Sequence, residues 1–214
     1  TMASKIGLKI SEYGVFVEAT EERKGGEKEE DVYASVNLPL IPPQLRENAG
    51  EVEAAQEGNL PRLIEMSDLR GDLHVHTQES DGTMTLEEVA QTAIELGYSY
   101  VCISDHTKSL IVANGLDEKG LLAQKKRIAA LNKRLQGRLH LLSGCEVNIL
   151  SDGKPDIDQE VLLQLDLVTG SIHSGMDQPK PKITERLLAA IENPAIDIIG
   201  HPTNRIIGRR AESP

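Results

Sequence analysis

The 214 residues are 39% hydrophobic and 27% charged, ordinary proportions for a globular chain. No apolar run approaches the roughly 20 residues that span a bilayer, and the opening TMASKIGLKI has no apolar signal core, so the chain reads as cytoplasmic. A net charge of −11 lacks the basic signature of a nucleic-acid surface, so an anionic partner needs positive charge from elsewhere, for which bound metal ions are one source.

The acidic excess is spread along the chain, with 8 basic and 14 acidic side chains in residues 1–70 and 15 and 20 in the remainder. Aromatic residues make up only 2%, so the core has to be aliphatic. Cys102 and Cys145 both lie in apolar runs, which favours buried thiols over a disulfide.

The first 68 residues are irregular. SEYGVF reads as a turn followed by a short strand, and the glycine-broken charged stretch after it reads as a loop. A helix then opens at Glu29 and Glu30, with Val32, Tyr33 and Val36 as its apolar face. Pro39, Pro42 and Pro43 forbid a continuous helix through LPLIPPQLREN. EVEAAQEGNLPRLIEMSDL follows as a short helix and a linker. This part is too short and polar for a large core, and the domain boundary falls near Ser67–Leu69.

From residue 69 the pattern becomes regular. LRGDLHVHT predicts a strand, and TLEEVAQTAIELG a helix with Thr85 and Glu88 as a capping box and Gly97 at its end. SYVCISDH is the next strand, DEKGLLAQKKRIAALNKRLQG a helix from Asp117 to Gly137, and LHLLSGCEVNIL a strand. DIDQEVLLQL gives a short helix, LDLVTGSIH a strand, ITERLLAAIENP a helix and AIDIIGHP a fifth strand. Five strands alternating with four helices predict an α/β fold with a parallel sheet, either open or part of a barrel.

Each strand delivers a histidine or a glutamate near its carboxyl end: His74 and His76, His106, Glu146, His173 and His201. Functional groups gather at that end of parallel sheets. His74 and His76, two residues apart on a strand, project to the same side. Imidazoles clustered with carboxylates suit divalent zinc, manganese or iron. Only His140, at the start of its strand, stands outside the pattern and is taken as ordinary. Asp72 and Asp105 read either as acceptors that fix a histidine tautomer or as strand-start and turn residues. Asp81, in Ser-Asp-Gly, reads as a turn residue that could also swing in as a ligand. Cys145 reads as a small buried filler, and Arg205 as either a phosphate contact or a surface residue.

The set DLHVHTxxSDG, ISDH, GCEVNI, GSIHS and GHPT, between about Leu69 and Arg210, resembles the PHP (polymerase and histidinol phosphatase) phosphoesterases. It looks most like the PHP domain of bacterial and archaeal X-family DNA polymerases. KIGLKISEYGVF and EEDVYASVNLPLIPPQLREN are similar to the end of the thumb subdomain in that family. The resemblance implies residues 1–68 as a thumb remnant with linker, and residues 69–214 as most of a PHP domain, a distorted (βα)7 barrel. It implies two or three manganese or zinc ions held by His74, His76, Asp81, His106, Glu146, His173 and His201. Glu146, His106 and His173 would serve catalysis, with Glu146 bridging two ions.

The implied activity is 3′–5′ exonuclease or related 3′-end and abasic-site cleavage in DNA repair, with DNA bound through the parent polymerase and no membrane partner. A small-molecule phosphatase of the histidinol-phosphatase type and a catalytically inactive structural module are the alternatives. The family's final Asp-x-His and the polymerase palm are missing from this sequence. A barrel left open in this way would expose a sheet edge and favour self-association.

Overall fold

The computed structural model describes residues 1–212. It divides into two compact units, the first Thr1–Ile64 and the second beginning at Glu65, a few residues ahead of the boundary expected near Ser67–Leu69.

The first unit pairs β1 (Leu8–Ser11), β2 (Gly14–Val17) and β3 (Arg23–Gly25) in one antiparallel sheet. Ser11 pairs with Gly14, so the turn sits on the SEYG sequence as expected. β3 lies within the stretch read as a loop. Its Arg-Lys-Gly sequence has no apolar alternation and is a strand only through pairing with β2. Helices α1 (Met2–Lys5), α2 (Glu29–Ser35) and α3 (Glu51–Gln56) complete the unit. Tyr33 of α2 and Val36 just after it pack against the buried Leu38, Ile41 and Ala55, so this unit has a small core of its own. Proline limits residues 43–45 to one 3₁₀ turn.

The second unit holds β4 (Gly71–Val75), β5 (Tyr100–Ile103), β6 (His140–Asn148), β7 (Leu167–Ser171) and β8 (Ile198–Ile199). All are parallel, and their spatial order is their chain order. Helices α4 (Leu86–Glu95), α5 (Glu118–Leu135), α6 (Gln159–Leu162) and α7 (Lys180–Ile191) provide the crossovers. The capping box is present, with Thr85 Oγ1 accepting from the Glu88 amide and Glu88 accepting from the Thr85 amide. Val89, Ala90 and Ala93 of α4 and Ile128, Leu131 and Leu135 of α5 bury against Val101, Ile103, Leu139 and Leu141. The aliphatic stripes of these helices therefore close over β5 and β6.

Three elements differ from expectation. β8 shrinks to two residues because the Asp197 carboxylate takes the Val168 amide and the preceding Ala195 is buried in the core. α7 begins at Lys180, ahead of Ile183, because Pro179 and Pro181 fall where a first helical turn tolerates them. α5 ends with Gln136 in the left-handed conformation, one residue before Gly137.

Cys102 and Cys145 are free and fully buried, and burial pushes the Cys102 thiol up to about 11. Gly144 explains how the central strand fits. A Cβ there would lie 2.5 Å from both Cys102 Sγ and the Leu167 carbonyl oxygen. Gly144→Ala should force β6 away from its neighbours and cost about 1–3 kcal/mol, read as a lower urea midpoint at unchanged slope.

Candidate metal centre

The site is built on Glu146. It sits on the middle strand of the five, 2% exposed. Its Oε2 lies 3.3 Å from His74 Nε2, 3.4 Å from His76 Nε2 and 3.1 Å from His106 Nδ1. Its Oε1 lies 3.2 Å from His173 Nε2 and 2.9 Å from His201 Nε2. The imidazoles form a chain, with successive ring centroids 5.0, 4.4, 5.0 and 5.2 Å apart from His74 through His76, His106 and His173 to His201. In a flat sheet the first and fifth strands would be about 19 Å apart at about 4.8 Å per step. Residues from both edges reach one carboxylate here, so the sheet curls around Glu146.

Asp81 is brought in by a tight turn. Its Oδ1 is 2.8 Å from His76 Nδ1 and its Oδ2 is 3.4 Å from His106 Nε2. The turn is moulded on Asp105, which is fully buried and accepts from the Thr77 amide and hydroxyl, Ser80 Oγ and Gln124 Nε2 at 2.5–2.7 Å. Gly82 completes it, since a Cβ would fall 2.3 Å from the His76 carbonyl oxygen. Asp105 therefore acts on the turn and not on an imidazole. Asp72 accepts from the backbone amide of His74.

The acceptors facing ring nitrogens are Asp81 for His76, Asn148 for His173 at 2.5 Å, and Asn204 for His201 at 2.9 Å. The sequence reading missed both asparagines. Asn148 was within reach, because it lies two residues beyond Glu146 on the same strand face. Asn204 becomes a partner only through the fold of the loop after β8. Asp156, also missed, accepts from Thr107 Oγ1, the Ser109 amide and Asn148. It ties the loop carrying His106 to the strand carrying Glu146. Arg205 is exposed, and its side chain meets none of the cluster. His140 is exposed at the start of β6.

Burial opposes the charge on Glu146, but hydrogen bonds with His173, His201, His74 and His76 outweigh it and hold the carboxyl far below its usual range. Burial likewise opposes ionisation of Asp81, and contacts with His76 and His106 reverse the effect. His201 is raised chiefly by its hydrogen bond to Glu146. His76 is raised because Glu146 and Asp81 overcome its burial. His106 is lowered, chiefly by burial.

The donor set fits divalent ions. His74, His76 and Glu146 form one group with atoms within 4.8 Å of one another; His76, Asp81 and His106 form a second, and His106, Glu146 and His173 a third. His74 Nε2 and His76 Nε2 face each other at 3.0 Å, so two lone-pair donors aim at one point. His106 Nδ1 is buried without a hydrogen-bond partner, its approach to Glu146 being misaligned. An ion would use both features.

A parallel α/β sheet with a histidine–carboxylate cluster at its strand ends defines a class of metal-dependent domain. The chain belongs to the PHP family: residues 72–212 match the PHP domain. Residues 1–47 match the DNA polymerase beta thumb. PHP domains are metal-dependent, and the three groups above are where ions could be held. The chain is 45% identical over 210 residues to the "DNA polymerase/3'-5' exonuclease PolX" of Bacillus subtilis, covering 98% of this chain and 36% of that protein. It is 34% identical over 140 residues to a probable phosphatase of Thermoanaerobacter sp. (strain X514), covering 63% of this chain and 54% of that protein. A probable phosphatase of Photobacterium profundum is 32% identical over 137 residues. The chain thus spans about a third of the Bacillus relative and about half of the phosphatase relatives. No helix among the described residues is long and apolar enough to cross a membrane.

The shifts fix the pH dependence of the metal-free chain. Glu146, Asp81 and Asp156 are depressed below their ordinary 3.8–4.5, so their contribution is full above those values and is lost as pH falls through the folded-state values. His76 and His201 are raised above 6.5, so theirs is full below 6.5 and is lost as pH rises through the folded-state values. His106 works in the opposite sense to those two histidines. Melting temperature in EDTA should peak between about pH 5 and 6.5. Divalent metal should move the optimum upward, because binding requires the histidine protons to leave. Melts from pH 4 to 8.5, with and without Mn²⁺, test this.

Asp156→Ala should cost about 3 kcal/mol by leaving several buried donors unpaired, read by chemical denaturation.

Proposed function

We propose that this chain is the metal-dependent phosphoesterase part of an X-family DNA polymerase. It comprises a thumb remnant with linker in residues 1–68 and a PHP domain in residues 69–214, whose five parallel strands belong to a distorted (βα)7 barrel. Its reaction is hydrolysis of phosphodiesters at DNA 3′ ends, as a 3′–5′ exonuclease or in abasic-site processing during repair, and DNA reaches it through the parent polymerase. The observation that carries this reading is the thumb match ahead of a histidine–carboxylate cluster that offers three overlapping ion-holding groups. A phosphatase working alone on small molecules has no use for a thumb.

Two or three ions, Mn²⁺ or Zn²⁺, would be held by His74, His76, Asp81, His106, Glu146, His173 and His201. Bound there, they supply Lewis acidity, an acidified water and neutralisation of phosphate charge. The chain's own part is geometric. Glu146 turns Oε2 toward His74, His76 and His106 and Oε1 toward His173 and His201, the disposition of a bridging carboxylate. Nδ1–H of His173, donating to Asn148 Oδ1, keeps the Nε2 lone pair aimed into the site, and Asn204 does the same for His201. His106 and His173 flank Glu146 and are, with it, the proposed catalytic groups. Arg205, free on the loop after β8, is the proposed phosphate contact. The positive charge of the ions also offsets the acidic surface, which otherwise repels DNA.

The test loads the purified chain with Mn²⁺ or Zn²⁺ and supplies 5′-labelled single-stranded DNA, p-nitrophenyl phosphate and histidinol phosphate in parallel. Stepwise shortening of DNA from its 3′ end is expected. Hydrolysis of the monoesters alone would establish the phosphatase reading favoured by the Thermoanaerobacter likeness. Bound metal with no hydrolysis would indicate a structural module. Glu146→Gln should lower the metal affinity of this chain about 10-fold or more and, placed in the parent polymerase, abolish DNA shortening. His74→Ala/His76→Ala should lose metal measured by elemental analysis.

A further inference from the structure

Arg186 lies outside the cluster and is unused in the account above. It projects from α7 and is 2% exposed, among the largest fully buried side chains of the described chain. A buried cation costs several kcal/mol unless it is compensated. Compensation comes here from direct bonds to oxygens that carry no formal charge, with the Asp152 carboxylate adding attraction at longer range. Nε donates to the Leu150 carbonyl at 2.7 Å and Nη2 to the Ile149 carbonyl at 2.5 Å. Nη1 donates to the Ser174 carbonyl at 2.9 Å, to Gln178 Oε1 at 3.0 Å and to the Gly175 carbonyl at 3.4 Å. No carboxylate is within ion-pair distance of it among the described residues.

The identity of those carbonyls is informative. Ile149 and Leu150 follow Asn148 directly, and Ser174 and Gly175 follow His173 directly. Asn148 and His173 are themselves joined by the 2.5 Å bond between Oδ1 and Nδ1. The connections close a ring: His173 to Asn148 through side chains, Asn148 to Ile149 along the backbone, Ile149 to Ser174 through the guanidinium, and Ser174 back to His173. β7 ends at Ser171, so ladder hydrogen bonds no longer hold His173. The guanidinium holds it instead. Its planar five-donor fork can reach three segments at once, which an ammonium cannot.

We infer that Arg186 is a positioning residue for His173, fixing its tautomer and the aim of Nε2, and thereby sets ion affinity in the His106–Glu146–His173 group while leaving the His74–His76–Glu146 group unaffected. This rests on the metal-centre reading but not on the substrate or the reaction.

The test uses the full chain and two readouts that need no turnover. The first is histidine tautomer state in the metal-free chain, read from long-range ¹H–¹⁵N correlations of the ring nitrogens. The second is stepwise Co²⁺ titration followed by its visible absorption, with a metal-loss control in His74→Ala. Arg186→Met is compared with Leu131→Ala, which opens a cavity under α5 far in sequence from either loop.

In Arg186→Met, His173 should lose the protected Nδ1–H that donates to Asn148, while His76 and His201 keep their Nδ1–H bonds to Asp81 and Asn204. One Co²⁺ step should weaken by about 10–100-fold, and the step lost in His74→Ala should be unchanged. Arg186→Lys, which keeps the charge and reaches fewer carbonyls, should fall between the two and decides the matter if Arg186→Met does not fold. The inference is overturned if the arginine variants match Leu131→Ala, with His173 unaltered and all Co²⁺ steps equal to the parent chain, or if every step weakens together. If no variant and no parent chain binds Co²⁺ while the tautomer of His173 still depends on Arg186, the metal-centre reading fails and the positioning role of Arg186 stands.

Discussion

Everything in the second unit is arranged around one buried carboxylate. Glu146 is withdrawn from water on the central strand, and a lone charge in that position would be driven to the neutral acid. Imidazoles from four segments, two on each side of its strand, instead converge on its two oxygens. This constraint reaches far from the site. It requires a sheet curled tightly enough for both edges to reach the middle, and a glycine at 144 so that β6 can lie close to Cys102 and Leu167.

A second ring of polar groups holds the first. Asp105 shapes the turn that presents Asp81, Asp156 ties the loop carrying His106 to β6, and Arg186 spans the loops after β6 and β7. All three are buried, and each is bonded to several donors or acceptors. Networks of this kind are costly when partly satisfied and rigid when complete. The ring nitrogens are therefore oriented by main-chain geometry as much as by their immediate partners. Such preorganisation is what a site needs when imidazoles and carboxylates from separate segments must converge on one point.

The relatives fit this picture at two levels. Matches to probable phosphatases cover about two thirds of the chain, whereas the Bacillus polymerase/exonuclease relative aligns with 98% of it, including the segment matching a polymerase thumb. The thumb match is the feature that bears on the DNA substrate proposed above.

Much of this was legible in the sequence, for a definite reason. Strand periodicity places i and i+2 on one face, so His-Val-His at 74–76 announces convergence, and the recurrence of His or Glu at successive strand ends announces a shared site. Helix α4 declares its own start through Thr85 and Glu88, whose reciprocal bonds are local. What the sequence could not supply were interactions between segments far apart along the chain. Asp105 looked like a neighbour of His106 yet bonds to Thr77 and Ser80; Asn204 serves His201 only because of a loop fold; β8 is cut short by the side chain of Asp197. Arg186 is a charged residue on an amphipathic helix, which by pattern belongs at the surface. Its burial is decided by the carbonyl groups that two distant loops leave unpaired, and only the tertiary structure brings those groups to it.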